Sequence, residues 1–250
     1  MEDKSISVIL AVRNSEKYLG TCIQSVISQT YENWELIIVV NCSVDNSLAI
    51  AQKYQRIDPR IIVLKSNIGQ LNYNLNLGLD VAKGTFIARI DADDINHQDR
   101  LETQLKLMRS YHVVGSAVQF VDINDNVLGL SSLPHKNDDI RKKIFYRSVL
   151  SHPTVMIRKD VLLSIGGYQG GQFCEDYDLW LRLMRDKSIL FHNIQKPLVK
   201  YRLHSGQMSS DKISFAYVAG YLFREALISK SFQYMIGAFI YLFKYYFRAK

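Results

Sequence analysis

Residues 6–12 read Ile-Ser-Val-Ile-Leu-Ala-Val. A single hydroxyl interrupts an otherwise apolar run, the pattern of a strand buried on both faces. Leu19, Cys22, Ile23, Val26 and Ile27 follow at helical spacing, with Asn14 or Ser15 in position to cap the helix. Residues 34–40, Trp-Glu-Leu-Ile-Ile-Val-Val, make a second buried strand. Farther on, the pattern predicts a short helix over residues 46–54 and a third strand over 61–64. A helix marked by Leu71, Leu75, Gly78, Leu79 and Ala82 comes next, then a fourth strand over 86–90. Strands and helices alternating at this spacing predict βαβ units. The expected class is α/β, with a mainly parallel central sheet flanked by helices and joined by right-handed crossovers.

Composition narrows what such a chain can be. Its 250 residues are 48% hydrophobic and 22% charged, which excludes a disordered or collagen-like polymer and suffices for a full core. Cys22, Cys42 and Cys174 are odd in number and far apart, with no CxxC. That argues against a disulfide framework or a structural zinc site and fits a reducing compartment. The start, Met-Glu-Asp-Lys, lacks the basic opening of a secretory signal, so the expectation is a cytoplasmic chain. The net charge of +7 is uneven. No acid follows Glu225, whereas Lys230, Lys244, Arg248 and Lys250 do. Between them, Ser231 to Phe243 is uncharged and rich in Phe, Tyr, Ile and Leu. A run of about thirteen residues falls short of the roughly 20 that span a bilayer. It suits either a helix docked on the core or an interfacial helix whose cations meet anionic headgroups. The expectation is therefore C-terminal amphipathic helices over 211–250, docked on the core or associating with a membrane surface. The basic residues form no stripe elsewhere, and no nucleic-acid motif is present, so nucleic acid is not an expected partner.

Ligands of open parallel sheets bind beyond the carboxyl ends of the strands. No GxGxxG and no GxxxxGK[ST] follows any strand here, which argues against a dinucleotide fingerprint and a P-loop. After Ile90 comes Asp91-Ala92-Asp93-Asp94, three carboxylates in four residues. Such crowding is costly unless a cation sits among them. A divalent ion such as Mg²⁺ or Mn²⁺ is one answer; the capping of a turn by Asp93 or Asp94 is the other. A second acidic group, Glu175-Asp176-Tyr177-Asp178, opens a helical run after a Gly166-Gly167-Tyr168 turn. These acids either favour the helix N-terminus or supply a general base at a cleft. A strand over 198–203 ends at His204, read either as structural or as a metal or phosphate contact.

Together these segments resemble the family-2 glycosyltransferases, whose nucleotide-diphospho-sugar-binding fold is called GT-A. The matching elements run collinearly over about residues 5–210. They include Ser7-Val8-Ile9-Leu10, Asn14, Trp34-Glu35-Leu36-Ile37-Ile38-Val39, Asp45-Asn46-Ser47 and Asn67-Ile68-Gly69. They continue through the Asp91–Asp94 loop, Asp99-Arg100-Leu101, His152-Pro153-Thr154, Glu175-Asp176-Tyr177-Asp178-Leu179-Trp180 and Tyr201-Arg202-Leu203-His204. The resemblance implies a GT-A domain over 1–210, with a nucleotide-binding half over about 1–97 and an acceptor half over about 98–210. It sets Asn14, Asn41, Arg89, Asp91 and Ala92 against the nucleotide-sugar, with Asp91 facing the ribose. Asp93, joined by His204, would bind Mn²⁺ or Mg²⁺ at the diphosphate. Asp176 stands where the family keeps its catalytic base, and Glu175 and Trp180 would line the acceptor side.

Two departures stand out: the usual acid pair after the second strand is Val40-Asn41, and the usual Pro after the first strand core is Ala11. Asn41 can still offer a donor and an acceptor to a base edge. The Asn-Cys pair, residues 87–91 and Tyr201-Arg202-Leu203-His204-Ser205-Gly206-Gln207 also resemble bacterial O-antigen transferases. Those enzymes add a hexose from a UDP-sugar to GlcNAc-diphospho-undecaprenol in β1,3 linkage. The resemblance implies an inverting, metal-dependent hexosyltransferase (Gal or Glc) that is peripheral on the inner face of the bacterial inner membrane. The same parts would serve another lipopolysaccharide or capsule linkage. A sugar nucleotidyltransferase would need a Gly-rich loop where Arg13-Asn14-Ser15 stands, and a non-catalytic carbohydrate-binding protein would not need Asp93 and Asp176 together.

Overall fold

The computed structural model describes residues 5–204 and 212–247. The first half alternates as its apolar runs require: β1 Ile6–Val12, α1 Glu16–Ile27, β2 Trp34–Asn41, α2 Ser47–Ile57, β3 Ile61–Ser66, α3 Leu71–Val81 and β4 Phe86–Arg89. Next come β5 Ile95–Asn96, α4 Arg100–Leu107, β6 Val113–Val121, β7 Val127–Leu130 and α5 Asn137–Lys143. A 3-10 turn, His152–Thr154, leads to β8 Met156–Arg158, α6 Lys159–Ser164, α7 Glu175–Leu183 and β9 Phe191–Arg202. Helices α8 Ile213–Ser229 and α9 Phe232–Phe247 close the described chain.

One sheet runs in the order β3-β2-β1-β4-β8-β6-β9-β5, with β7 on β6. Strands β3, β2, β1 and β4 are parallel, so their carboxyl ends share one edge, with Val12 opposite Val40 and Asn41 opposite Ser66. At β8 the direction reverses against both β4 and β6, and β5 runs antiparallel to β9. The sheet is thus parallel through the nucleotide half and mixed overall. It continues across both expected halves, because β9 carries β5.

The continuous apolar run of β1 is explained by two cores. Ile6, Val8, Leu10 and Val12 enter one cluster with Leu19, Ile23 and Val26 of α1. Ile9 points the other way, into a cluster with Leu75 of α3, Trp180 of α7, Leu222 of α8 and Tyr241 of α9. Strand side chains alternate faces, so only a sheet covered on both sides makes both sets apolar. Gly78 lets α3 lie close to the sheet: a β-carbon there would sit 2.7 Å from Ile9 Cγ2.

The capping of α1 differs from the sequence expectation. Ser15 occupies the cap position without a side-chain bond to the helix; its hydroxyl donates to the Arg13 carbonyl (3.1 Å). Asp45, from the loop after β2, instead accepts the Glu16 N–H (2.9 Å). The neighbouring loop reaches this helix end before the local side chain does. The C-terminal run folds as the α8–α9 hairpin, docked on the core through Val218, Leu222, Ala226 and Tyr241. Ser205, Gly206, Gln207, Arg248 and Lys250 lie outside the described residues, as does the expected boundary at 210.

Candidate active site

The loops following β1 and β2 are laced to each other. Asn14 takes a left-handed backbone (φ 48°). Its N–H donates to Ser43 Oγ (3.1 Å) while its Oδ1 accepts the Val44 N–H (2.9 Å). Glu16 Oε2 accepts from both the backbone and side-chain nitrogens of Asn46 (3.0 and 2.8 Å). Asn41 is buried and turns its Nδ2 to the Val12 carbonyl (2.9 Å). The donor expected to face a base edge instead ties the ends of β1 and β2 together. Asn14, too, serves the loop framework. Arg13, which sequence reasoning did not single out, stands exposed just after β1. A β-carbon on Gly69 would lie 3.3 Å from its Nη1, so the loops after β1 and β3 meet around that guanidinium. Its signal was a lone cation at the carboxyl end of the first strand.

The acidic loop sorts its three carboxylates by partner. Asp91 forms an ion pair with Arg89, which is 3% exposed. Burial works to lower the Arg89 pKa, but the charge and hydrogen bond of Asp91, followed by the charge of Glu175, outweigh it and hold the guanidinium charged. Ala92 is buried between the acids. Asp93 Oδ2 lies 2.8 Å from His204 Nε2, across 111 residues of sequence. Asp94 is 1% exposed. Its Oδ1 accepts the Arg202 N–H (3.0 Å), and Oδ2 is buried without a hydrogen bond. Burial, then the charges of Asp91 and Asp93, push its carboxyl well above the ordinary range. Asp94 therefore pins the loop to β9, and Asp91 and Asp93 face outward. Below, Arg100 clamps the end of β4, donating to the Arg89 carbonyl (2.7 Å) and to Asn96 Oδ1 (2.5 Å).

The second acidic group begins α7. Cys174 precedes it in a left-handed conformation (φ 59°), so the chain turns sharply into the helix. Glu175 is buried, with Oε1 3.5 Å from His152 Nδ1. Asp176 is partly buried and accepts the Tyr177 N–H (2.8 Å). Burial raises both carboxyls above their usual values, and Glu175 adds to the rise at Asp176. His152 is held neutral: burial, then the charge of Arg89, lowers it to about 4. Trp180, expected on the acceptor side, is 1% exposed and packs edge-on against His152 with ring centroids 5.9 Å apart. Position 180 lies one turn along α7 from Asp176, and its buried ring braces His152. Asp178 is fully buried and bonded to Arg182 (2.7 Å) and Arg224.

The approach to these acids is fixed from both sides. Asn76 of α3 exchanges two hydrogen bonds with the Tyr168 backbone (2.7 and 2.8 Å). Arg182 donates to the Ile165 and Gly167 carbonyls (2.9 Å each). Tyr221 of α8 accepts the Gly171 N–H (2.8 Å) and donates to the Phe173 carbonyl (3.1 Å). Sequence reasoning missed Tyr221, since no spacing links a residue some fifty positions downstream to this loop.

Among the described residues no three His, Cys, Asp or Glu side chains gather as a metal cage. Asp93 and His204 offer one oxygen and one nitrogen at adjoining positions. Two donors fit an ion that completes its shell with water and substrate phosphates.

The model of glycosyl transferase family 2 matches residues 7–165. The chain belongs to glycosyl transferase family 2. This family-2 chain is 35% identical over 226 residues to an O-antigen biosynthesis glycosyltransferase, WbnJ, of Escherichia coli, the match covering 89% of each. It is 30% identical to the E. coli UDP-Glc:alpha-D-GlcNAc-diphosphoundecaprenol beta-1,3-glucosyltransferase WfgD, covering 85% of this chain and 82% of that one. Among solved structures, S. aureus TarS residues 1–349 in complex with UDP-GlcNAc superimposes with a TM-score of 0.70 at 20% identity. That match covers 89% of this chain and 66% of the TarS chain, so this family-2 chain spans just under two thirds of the solved fragment. The likeness establishes the GT-A fold.

Proposed function

We propose that this family-2 transferase moves a hexose, galactose or glucose, from a UDP-sugar to a lipid-linked acceptor such as GlcNAc-diphospho-undecaprenol, inverting the anomeric carbon. The setting is O-antigen or related surface-polysaccharide synthesis at the cytoplasmic face of the inner membrane. The observation that carries this reading is a base candidate whose pKa is raised by burial and by Glu175, more than the nearby charge of Arg89 lowers it. The Asp176 carboxyl touches a backbone N–H and neighbours Glu175 and a neutral histidine, whereas Asp91 is paired with Arg89. The names of the E. coli relatives support the donor and acceptor classes. No helix among the described residues is long and apolar enough to cross a membrane, as suits a peripheral transferase.

The chemistry follows from these positions. Asp176 takes the proton of the attacking acceptor hydroxyl, and its raised pKa makes it a stronger base than an exposed aspartate. Glu175, buried beside it, adds negative charge that favours proton uptake there. Arg89 holds Asp91 in place toward the ribose side. Asp93 and His204 would hold Mn²⁺ or Mg²⁺, which when bound offsets charge developing on the departing diphosphate. Attack from the face opposite the leaving group inverts the sugar with one base and no covalent intermediate.

The test is transfer by the purified chain from UDP-Gal, UDP-Glc and UDP-GlcNAc to a GlcNAc-diphospho-lipid analogue, with Mn²⁺ and with EDTA. One added β-linked hexose, lost in EDTA, is expected. No product with any donor, or an α-linked product, would overturn the reading.

A further inference from the structure

The α8–α9 hairpin is apolar on two faces, and the core covers only one. Leu222, Ala226, Ala238 and Tyr241 point inward, where the Tyr177 hydroxyl donates to Tyr241 Oη (3.1 Å). Phe232, Ile236, Phe239 and Phe243 recur at helical spacing on the outer side of α9, with Phe223 and Leu227 exposed on α8. Phe232 and Phe239 are 76% and 64% exposed. A contiguous aromatic stripe of this kind marks an interaction surface.

Charge identifies the occupant. Glu225 is the one acid between residues 212 and 247. It is 1% exposed, with its carboxylate held by Arg185 and Arg224 at 2.7 Å. The outer face therefore carries no exposed acid, while Lys230 stands exposed at the left-handed turn between the helices (φ 53°). Lys244, the charged residue within α9, reaches the Tyr146 carbonyl. At 16 residues, α9 is about 24 Å long, short of the roughly 30 Å hydrocarbon core, so it suits lying in an interface and not crossing one. A second copy of this chain would bring cation against cation, whereas an anionic lipid surface complements both the aromatic stripe and the lysines. The face also adjoins the acceptor side, since α8 carries Tyr221 and Arg224, which hold the loop and helix of the acid pair.

We propose that the outer face of α8–α9 seats this protein on an anionic bilayer surface, with Phe232, Phe239 and Phe243 at the acyl boundary and Lys230 among the headgroups. This deepens, and for its purpose rests on, the reading of a lipid-linked acceptor.

The experiment is co-sedimentation of the full chain with phosphatidylcholine vesicles with and without phosphatidylglycerol. It is paired with transfer to a short-chain, water-soluble GlcNAc-diphosphate acceptor. Binding at least about tenfold tighter to the anionic vesicles is expected. The variant Phe239→Ser/Phe243→Ser should lose about tenfold or more of that binding and keep its transfer to the soluble acceptor. Equal affinity for neutral vesicles, or unchanged binding by the variant, overturns the proposal. Sedimentation velocity covers the remaining occupant: a dimer abolished by the variant, without vesicle binding, assigns the face to a second copy and overturns it. Should the double variant fail to fold, Phe239→Trp supplies the readout. Its emission should shift to the blue on anionic vesicles and be quenched by brominated acyl chains, and an unmoved emission overturns the proposal. Failed transfer with intact vesicle binding would sink the functional reading alone, and lost vesicle binding with intact transfer would sink this one alone.

Discussion

The acids at 91–94 and at 175–178 share a composition, three carboxylates in four residues, but their surroundings are opposite. In the first group each acid has a partner: the neighbouring Arg89 for Asp91 and, brought from far along the chain, His204 for Asp93 and the Arg202 N–H for Asp94. In the second, the cations collect on Asp178, which holds Arg182 and Arg224, while Glu175 and Asp176 adjoin a neutral histidine. A carboxylate that is buried beside another acid gains basicity, as Asp176 does beside Glu175. The same residue types thus take different surroundings, and the proposed function gives them different roles: ligand holding at Asp91 and Asp93, proton acceptance at Asp176.

The largest expected effect tests that division directly. Asp176→Asn keeps the shape and removes the base, so transfer should fall about 10³-fold or more while calorimetry shows UDP-sugar affinity almost unchanged. Near-wild-type turnover would break the comparison. The wild-type rate should also decline on acidification with a midpoint above the ordinary aspartate value, because burial raises Asp176 and only its ionised form accepts a proton.

Asp178→Asn comes next. It leaves the Arg182 guanidinium buried without its charge partner, a change worth about 3–5 kcal/mol, read as a lowered urea midpoint. An unchanged midpoint would mean that Asp178 is not the structural member of its group.

His152 sharpens the contrast through pH. Below about pH 6.5 the unfolded chain takes up a proton at this histidine, which the folded chain refuses until about pH 4. Stability contributed here is therefore complete above pH 6.5 and lost as pH falls through that window. His152→Gln should remove roughly 2 kcal/mol of that acid sensitivity, measured as the difference between the two proteins in unfolding free energy at pH 7 and pH 4.5. Identical pH dependence would show that His152 is not held neutral.

The smallest effect is expected at the partnered cluster. Asp93→Ala should weaken Mn²⁺-dependent UDP binding by at least the roughly tenfold that loss of a supporting metal contact costs. Equal calorimetric affinities with and without Mn²⁺ in the wild type would remove the metal from Asp93.

Much of the nucleotide half was legible because its signals are local. The β1 run is apolar at every position but one, and a strand between two cores requires just that, so β1 over 6–12 follows from the residues alone. The helix face of Leu71, Leu75 and Gly78 was equally plain and became α3. Asn41 shows the limit. Its amide has the right chemistry for a base edge, yet it closes β1 on β2, a choice made by a carbonyl 29 residues away. Ser15 lost its expected capping bond to Asp45 for the same reason, and Trp180 could be placed on a helix but not on the buried side of it. The uncharged tail left docking and interface as rival readings; the hairpin docks by one face and exposes another.

The sequence by itself determined the strands and helices of the nucleotide half, and singled out the two acidic groups on which the proposed chemistry rests. Those properties reside in periodicity and in residue type, both short-range. Tertiary structure alone decided which acid meets which partner: His204 reaches Asp93 across 111 residues, and Arg224 reaches Asp178 across 46. Basicity depends on burial and on the nearest charge, and both are set by chain segments that sequence spacing cannot bring together.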